Sequence, residues 1–507
     1  MANGPKKRIV LCADGTGNQD IKDRGTNVFR LYEAVDLHGH RADPEQLQQI
    51  AFYSDGVGTS SAFPIRVIGG IFGWGFRENV LTLYRDACRV YKPGDDIYIF
   101  GFSRGAYTAR ALAAMIQSQG LLSSAEADIE EAVTKTWDLF AKGNFTRWAT
   151  SDRRVAAVDA KSVEEPKVRI KFLGVWDTVG AMGGPLWGVS TVLNVIFPRF
   201  FKELTLGKGV DCARHALAID EQRQAFAPEL WREQEGDGDR LQQVWFAGVH
   251  SNVGGGYPKQ GMALVALDWM MAEAERQGLR FIEQDQQYVR ERRDVHGKLY
   301  DSRAGFGVYY RWRPRDLRAI SARHGVERIK VHISAIERAA FGSQGYAPLN
   351  IPHDCEVVVT SRKGSSTGQR AGICLKVEPV LKSLDYTPLD SCRGTVAAGR
   401  GSYYAFLLLT AFVLLVLCAP GRRGWVVTQV QQLLGLLPSV DFGFCDCAEQ
   451  LAAGLMQAGV LAALLMLALI PVLLIQKWAG SVDDKLQKVG ISHWRGVRER
   501  LQALFTE

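Results

Sequence analysis

Four apolar residues, Ile97-Tyr98-Ile99-Phe100, run into Gly101-Phe102-Ser103-Arg104-Gly105, and a helix-forming stretch from Ala106 to Ala114 follows at once. A buried strand that turns into a helix through Gly-x-Ser-x-Gly leaves few architectures open. The serine sits on a strained turn, with its hydroxyl projecting from the carboxyl edge of a sheet. Glycine is needed on both sides because strand and helix approach too closely there for a Cβ. The pentapeptide alone is common, and a plain loop serine is the alternative. The strand before it and the helix after it make it a nucleophile elbow.

The same pattern recurs along the chain. Arg8 to Ala13 reads as a short buried strand ending at Asp14-Gly15-Thr16-Gly17-Asn18, and Thr26 or Asn27 suits the N-cap of a following helix. Ile50 to Ser54 reads as a strand into Asp55-Gly56-Val57-Gly58-Thr59, and Trp74 to Val90 has helical spacing. Arg169 to Val175 ends at Trp176-Asp177-Thr178, and Gln243 to Val249 ends at His250 and a glycine run. Strand-like runs return at Ile329 to Ile333 and at Cys355 to Val359. This alternation predicts an α/β-hydrolase-like, mostly parallel sheet with helices on both faces. Ligands bind beyond the carboxyl ends of such strands, where the Gly-rich and polar clusters fall.

A serine hydroxyl is a poor nucleophile at neutral pH and needs a base within reach, oriented in turn by an acid. In this fold the order along the chain is Ser, then Asp or Glu, then His. Ser103, Asp177 and His250 follow that order, Asp177 and His250 each at the end of an expected strand. Of nine histidines, His215 and His332 are the competitors, the first in a stretch read as helical (Ala213 to Glu221), the second inside a strand. Both are read as structural. An oxyanion needs pre-aimed N–H donors. The amide of Arg104 is expected to supply one, and those of Gly15 and Thr16 the second. Asp14 is read as an anchor for that loop, because Thr16 stands where a phosphatase would want a second carboxylate. No cofactor and no metal are expected.

Five motifs occur in order: Asp14-Gly15-Thr16-Gly17-Asn18, Gly101-Phe102-Ser103-Arg104-Gly105-Ala106, Gly174-Val175-Trp176-Asp177-Thr178-Val179-Gly180, His215-Ala216-Leu217-Ala218-Ile219-Asp220-Glu221 and His250-Ser251-Asn252-Val253-Gly254-Gly255-Gly256-Tyr257. From about residue 8 to 355 the chain resembles the catalytic domain of the first class of type VI secretion lipase effectors. The resemblance implies an α/β-hydrolase fold, a triad of Ser103, Asp177 and His250, and phospholipase A-type ester hydrolysis. Asn252 departs from the aspartate common in that family, which leaves any metal role at this position without support. A secretion or immunity partner goes with the same resemblance.

The chain of 507 residues leaves room for one large α/β domain and something more. A net charge of +7 with no long basic stripe argues against nucleic acid. Nine cysteines, mostly scattered singly, read as reduced thiols. The N-terminal residues show no signal-peptide core, which places the catalytic part in the cytosol, with an exported effector as the alternative. Tyr403 to Ala419 and Leu451 to Ile475 are uncharged runs, the first at the short limit for a bilayer span. They predict a two-helix transmembrane hairpin with both ends cytoplasmic, because Lys477, Lys485, Lys488, Arg495, Arg498 and Arg500 follow it. The expected organisation is a catalytic domain over 1–390, a linker over 391–402, the hairpin over 403–476 and a basic amphipathic tail over 477–507. The face formed by Ile491, Trp494, Val497, Leu501, Leu504 and Phe505 suits either a membrane interface or packing on the catalytic domain. Pro185 to Phe201 is apolar enough for a lipase lid, or for a helix packed on the core.

The resulting expectation is a membrane-anchored serine lipase acting on phospholipid or another acyl ester at a lipid bilayer. Two alternatives stay open: a thioesterase or protein deacylase with the same triad, and a membrane scaffold or toxin with a vestigial hydrolase domain.

Overall fold

Ile9, Val10, Leu11, Cys12 and Ala13 are withdrawn completely from solvent, as a parallel strand covered on both faces must be. Side chains alternate across a strand, so Ile9, Leu11 and Ala13 enter one core while Val10 and Cys12 enter another. A computed structural model describes residues 6–16, 25–56, 71–123, 128–146, 168–180, 205–304, 309–362, 367–384, 388–418 and 446–506. Among them the strands are β1 (Lys7–Thr16), β2 (Gln48–Gly56), β3 (Asp96–Phe102), β4 (Ile170–Trp176), β5 (Ala213–Ala218), β6 (Leu241–Phe246), β7 (Lys330–His332) and β8 (Glu356–Val358). They form one sheet in the order β2-β1-β3-β4-β5-β6-β7-β8, with every pairing parallel. The chain crosses from one side of β1 to the other between β2 and β3. The crevice at such a switch point lies beyond the carboxyl ends of β1 and β3.

Helices cover both faces. On one side α1 (Asn27–Ala34) contributes Val28 and Leu31 to a core shared with Phe100, Phe172 and Trp176 of the sheet. On the other side α2 (Ile71–Val90), α3 (Arg104–Gln119) and α4 (Ile129–Thr146) pack Tyr84, Leu112 and Trp137 against Ile97, Ile99 and Leu173. Directly after β6 come α5 (His250–Gly254) and α6 (Gly261–Arg276), whose Leu264, Leu267 and Met270 complete the first core. A third cluster gathers Trp245 and Val331 with α7 (Leu317–Arg323), α8 (Ile333–Phe341) and α9 (Thr367–Lys382). The expected mostly parallel α/β sheet is borne out.

The chain divides into two compact units, one of Met1–Asp390 with Gly490–Glu507 and one of Ser391–Val489. In the first unit Trp494, Val497 and Leu501 are buried in the third cluster, and Trp494 Nε1 donates to the Pro348 carbonyl at 2.8 Å. Of the two readings of that apolar face, packing on the sheet domain is the one observed. Among the described residues of the second unit lie the helices α10 (Arg393–Cys418) and the part of α11 (Asp446–Thr506) that precedes Gly490.

Two expectations are corrected. Among the described residues no helix is long and apolar enough to cross a membrane, so the transmembrane hairpin and the two-span membrane placement drawn from it both fall. The apolar runs do not stand as separate elements: α10 takes in Arg393, Arg400, Gly394, Gly399 and Gly401, and α11 continues through Lys477, Asp483, Asp484, Lys485 and Lys488. The connection expected between them, 419–445, lies outside the described residues, as does the lid segment 185–201. The second correction is Ala213–Ala218, read as helical and observed as strand β5. Its alanines favour a helix in isolation, but a position between β4 and β6, buried at every residue, overrides propensity.

Candidate active site

The elbow forms where the sequence places it. β3 ends at Phe102, α3 begins at Arg104, and Ser103 between them has φ 58° and ψ −122°. A non-glycine residue there is strained. The strain is held by hydrogen bonds: the Ser103 amide donates to the Trp176 carbonyl at 3.1 Å, and Val179 donates to the Ser103 carbonyl at 3.4 Å. The flanking glycines are required by contact. A Cβ on Gly101 would lie 2.7 Å from the Ala106 Cα, and one on Gly105 would overlap the Ala13 and Asp14 carbonyl oxygens. That second contact also sets the end of β1 against the first turn of α3.

The same bonds bring Asp177 alongside. It follows β4 directly, with φ 37°, and its amide donates to the Ala216 carbonyl at 2.7 Å. Among the described residues only Ser103, Asp177 and Gln344 are non-glycines with positive φ, so two of the three strained positions are sequence-nominated site residues. Both carboxylate oxygens of Asp177 are fully engaged. Oδ1 accepts from the Ala218 amide at 3.0 Å and from Arg315 Nη1 at 2.7 Å. Oδ2 accepts from Arg315 Nη2 at 2.9 Å and from His250 Nδ1 at 2.6 Å. Complete burial pushes the carboxyl up, but Arg315 and then His250 outweigh it and hold Asp177 well below the usual carboxylate range.

His250 opens α5, beyond the end of β6, and is buried between the rings of Phe102 (centroids 4.6 Å) and Phe226 (4.9 Å, edge-on). With Nδ1–H committed to Asp177, the free lone pair belongs to Nε2. Burial lowers the imidazole below its ordinary value and Asp177 only partly restores it, so the ring is neutral at pH 7. No hydrogen bond joins His250 Nε2 to Ser103 Oγ. Phe102, the residue before Ser103, is a ring packed against His250 at a tilt, so the serine turn and the imidazole are neighbours. Such bonds are often long in a resting site and tighten with substrate.

The glycine run after His250 serves packing. A Cβ on Gly254 would strike the Phe102 ring, and one on Gly255, at φ +91°, would lie 2.7 Å from the Asn27 amide nitrogen. Asn252 pins the same turn: Oδ1 accepts from Val249 at 3.4 Å and Tyr300 at 3.2 Å, and Nδ2 donates to the Lys298 carbonyl at 3.0 Å. Among the described residues no three His, Cys, Asp or Glu side chains gather as a metal-holding group.

Of the oxyanion candidates, Arg104 lies in the first turn of α3, where helix amides lack intrahelical acceptors. The Gly15 amide donates to its neighbour Asp14 Oδ1 at 2.6 Å, and Thr16 closes β1 opposite Gly56. Asp14 Oδ2 also accepts from Tyr53 at 2.6 Å and from Thr26, which ties the β1 turn to β2 and α1. The two competing histidines take other partners. His215 Nε2 accepts from the Thr178 amide at 3.1 Å, and burial followed by Arg110 pushes it down to about 3. His332 stacks on Phe246 and bonds Ser334 and Thr360.

Sequence reading missed three contributors. Arg315 is 4% exposed and gives no local signal in Trp312-Arg313-Pro314-Arg315. Glu221 ends one of the five motifs; it accepts from the His250 amide at 3.2 Å and from Ser302 Oγ at 3.0 Å. Burial raises Glu221, but the ion pair with Arg223 prevails and brings it down to about 2. Arg223 in turn lies 3.6 Å over the Phe226 ring that covers His250.

A model of the T6SS phospholipase effector Tle1-like catalytic domain matches residues 7–273. An uncharacterised protein of Saccharomyces cerevisiae is 26% identical over 238 residues, 43% of this chain and 32% of the yeast protein. Among solved structures, an uncharacterised protein from Pseudomonas aeruginosa aligns at 21% identity with a TM-score of 0.33, over 55% of this chain and 47% of that one. A Tle1 effector bound to the VgrG spike of the type VI secretion system aligns at 18% identity with a TM-score of 0.30, over 51% and 52%. The chain thus spans about a third of the yeast relative and about half of each solved chain.

Proposed function

The chain belongs to the family of type VI secretion Tle1-like phospholipase effector catalytic domains, and from that premise we propose that it hydrolyses carboxylic ester bonds of phospholipids through Ser103, Asp177 and His250. In this reading Ser103 Oγ attacks the ester carbonyl carbon while His250 Nε2 takes its proton. Asp177 holds Nδ1–H and stabilises the imidazolium that forms. The carbonyl oxygen becomes an oxyanion, which falls to the amide of Arg104 with the Gly15–Thr16 turn of β1 as the second source. The Gly15 amide must leave Asp14 to take part. The ester C–O bond then breaks, and the leaving alkoxide takes the proton from Nε2. Water repeats the sequence on the acyl-enzyme, releasing fatty acid and restoring the serine.

The observation that carries this reading is the 2.6 Å contact between Asp177 Oδ2 and His250 Nδ1, beside a serine held at φ 58°. A buried carboxylate, a neutral imidazole and a strained serine beyond the ends of β3, β4 and β6 fit the constellation of acyl transfer. Delivery as an effector follows from the family alone. The test is Ser103→Ala assayed on vesicles of phosphatidylethanolamine and phosphatidylglycerol and on p-nitrophenyl butyrate. Turnover should vanish with the circular dichroism spectrum unchanged; wild-type turnover in that variant rejects the mechanism.

A further inference from the structure

We propose that Arg315, outside the stretch matched by the family, is a positioning residue of the same site: its guanidinium fork fixes Asp177 and the ring wall over His250 and offsets the pull of Asp177 on the imidazole. The inference rests on the triad reading for its kinetic consequences but not for its electrostatic ones.

Neutralising a buried carboxylate takes one contact, yet Arg315 makes four hydrogen bonds to three separate segments. Nη1 reaches Asp177 Oδ1 (2.7 Å) and the Ala218 carbonyl (2.5 Å); Nη2 reaches Asp177 Oδ2 (2.9 Å) and the Phe226 carbonyl (2.6 Å). The end of β4, the end of β5 and the turn carrying Phe226 are thereby fastened to one planar group. Arginine alone has that geometry; lysine offers a single point of attachment. Asp177 cannot rotate without breaking the fork, so Oδ2 stays aimed at His250 Nδ1. Nη2 holds the backbone of Phe226, so the turn presents that ring beside the imidazole.

The electrostatic consequence is distinct from the steric one. A lone buried carboxylate next to a histidine favours the protonated ring. Arg315 shares that carboxylate and cancels much of its effect. The charged groups facing His250 are Asp177 beyond β4, and Glu221 and Arg223 beyond β5; Asp177 itself faces Arg315 and His250. Glu221 is matched by Arg223, and Asp177 by Arg315. The imidazole thus lies among balanced pairs and keeps its lone pair to lower pH than an unmatched Asp–His couple would. The site gives up some stabilisation of the imidazolium in return for a base that is free at neutral pH.

The experiment uses the full chain with Arg315→Met and Arg315→Lys, beside wild type and Ser103→Ala. For Arg315→Met the acid limb of kcat/KM on p-nitrophenyl butyrate should move up by about one pH unit, because the unmatched carboxylate now favours the charged ring. The His250 titration, followed by NMR of the ring protons, should move the same way in Arg315→Met and in the Ser103→Ala/Arg315→Met double variant. For Arg315→Lys the limb should stay near wild type while kcat falls about 10- to 100-fold with KM within about twofold, since charge is kept and the fork is lost. Wild-type kcat in Arg315→Lys, or an unmoved His250 titration in a folded Arg315→Met, overturns the proposal. If Arg315→Met does not fold, the Arg315→Lys result alone decides. Ester turnover that survives Ser103→Ala rejects the triad reading instead, and the NMR titration still judges Arg315.

Discussion

At the scale of single residues, the site is a set of buried charges that are all answered. Asp177 receives four donors, and Glu221 receives Arg223, Ser302 and the His250 amide. Removing one partner therefore costs more than the contact itself, because the other is left charged and dry. Asp177→Asn should destabilise the fold by about 3–5 kcal/mol, since Arg315 loses its anion. It should also lower kcat by about 10⁴-fold through the wrong imidazole tautomer. Urea melts and steady-state kinetics read the two effects separately; an Asn variant as stable and active as wild type contradicts both. Gly105→Ala tests the elbow from the steric side. The new Cβ meets backbone carbonyls of Ala13 and Asp14 that cannot step aside, so a loss of at least about 1–3 kcal/mol is expected by thermal melting.

At the scale of elements, the sheet places the site by strand order. Ser103, Asp177 and His250 follow β3, β4 and β6, whose carboxyl ends lie on one edge because every pairing is parallel. The final helix matters to this arrangement through the third core. Trp494 is 2% exposed, bonds the Pro348 carbonyl and lies among residues of β6, β7, α7 and α8. α7 begins two residues after Arg315, so this core lies next to the segment that carries the fork. Trp494→Ala should cost about 3–5 kcal/mol, the usual range for emptying a buried tryptophan site. A change below about 1 kcal/mol in urea-induced unfolding would mean that the terminal helix is an appendage to the fold.

At the scale of the whole molecule, the site makes stability depend on pH. His215 is lowered to about 3 and His250 is also lowered, so the unfolded chain takes up their protons first and the fold weakens as pH drops below about 6.5. Glu221 and Asp177 are depressed carboxylates. Their contribution is complete above the unfolded value and fades on acidification, for Glu221 between about 4.5 and about 2. Asp220, raised by burial to about 6, acts in the opposite sense and loses its contribution as pH rises from about 4 towards 6. The paired carboxylates act only below about pH 4.5, and Asp220 with the raised carboxyls Asp86, Glu233, Glu275 and Glu337 opposes the histidines as pH drops. The fall of the thermal midpoint therefore belongs to the window just below pH 6.5, with each fully shifted group worth up to about 1.4 kcal/mol per pH unit. His215→Gln should flatten that fall. A His215→Gln variant whose midpoint changes with pH between about 6.5 and about 5 just as wild type does contradicts the burial of a neutral His215.

What the chain declares locally is the strand–turn–helix at Ser103, every strand of the sheet but β5, and the residues proposed at the ends of β3, β4 and β6. Each depends on near neighbours: apolar runs buried on both faces, and glycines where Ser103 turns into a helix. What it does not declare depends on contacts between distant segments. Arg315 meets Asp177 across 138 positions, and nothing in its own pentapeptide separates it from the other arginines. Ala213–Ala218 became a strand because β4 and β6 left that slot, against its own alanines. The uncharged runs at 403–419 and 451–475 were misread because hydropathy weighs a window, whereas the helices they join extend through charged and glycine-rich neighbours. Local sterics and hydrophobic period wrote the scaffold; the pairing of buried charges around His250 exists only once the chain has closed on itself.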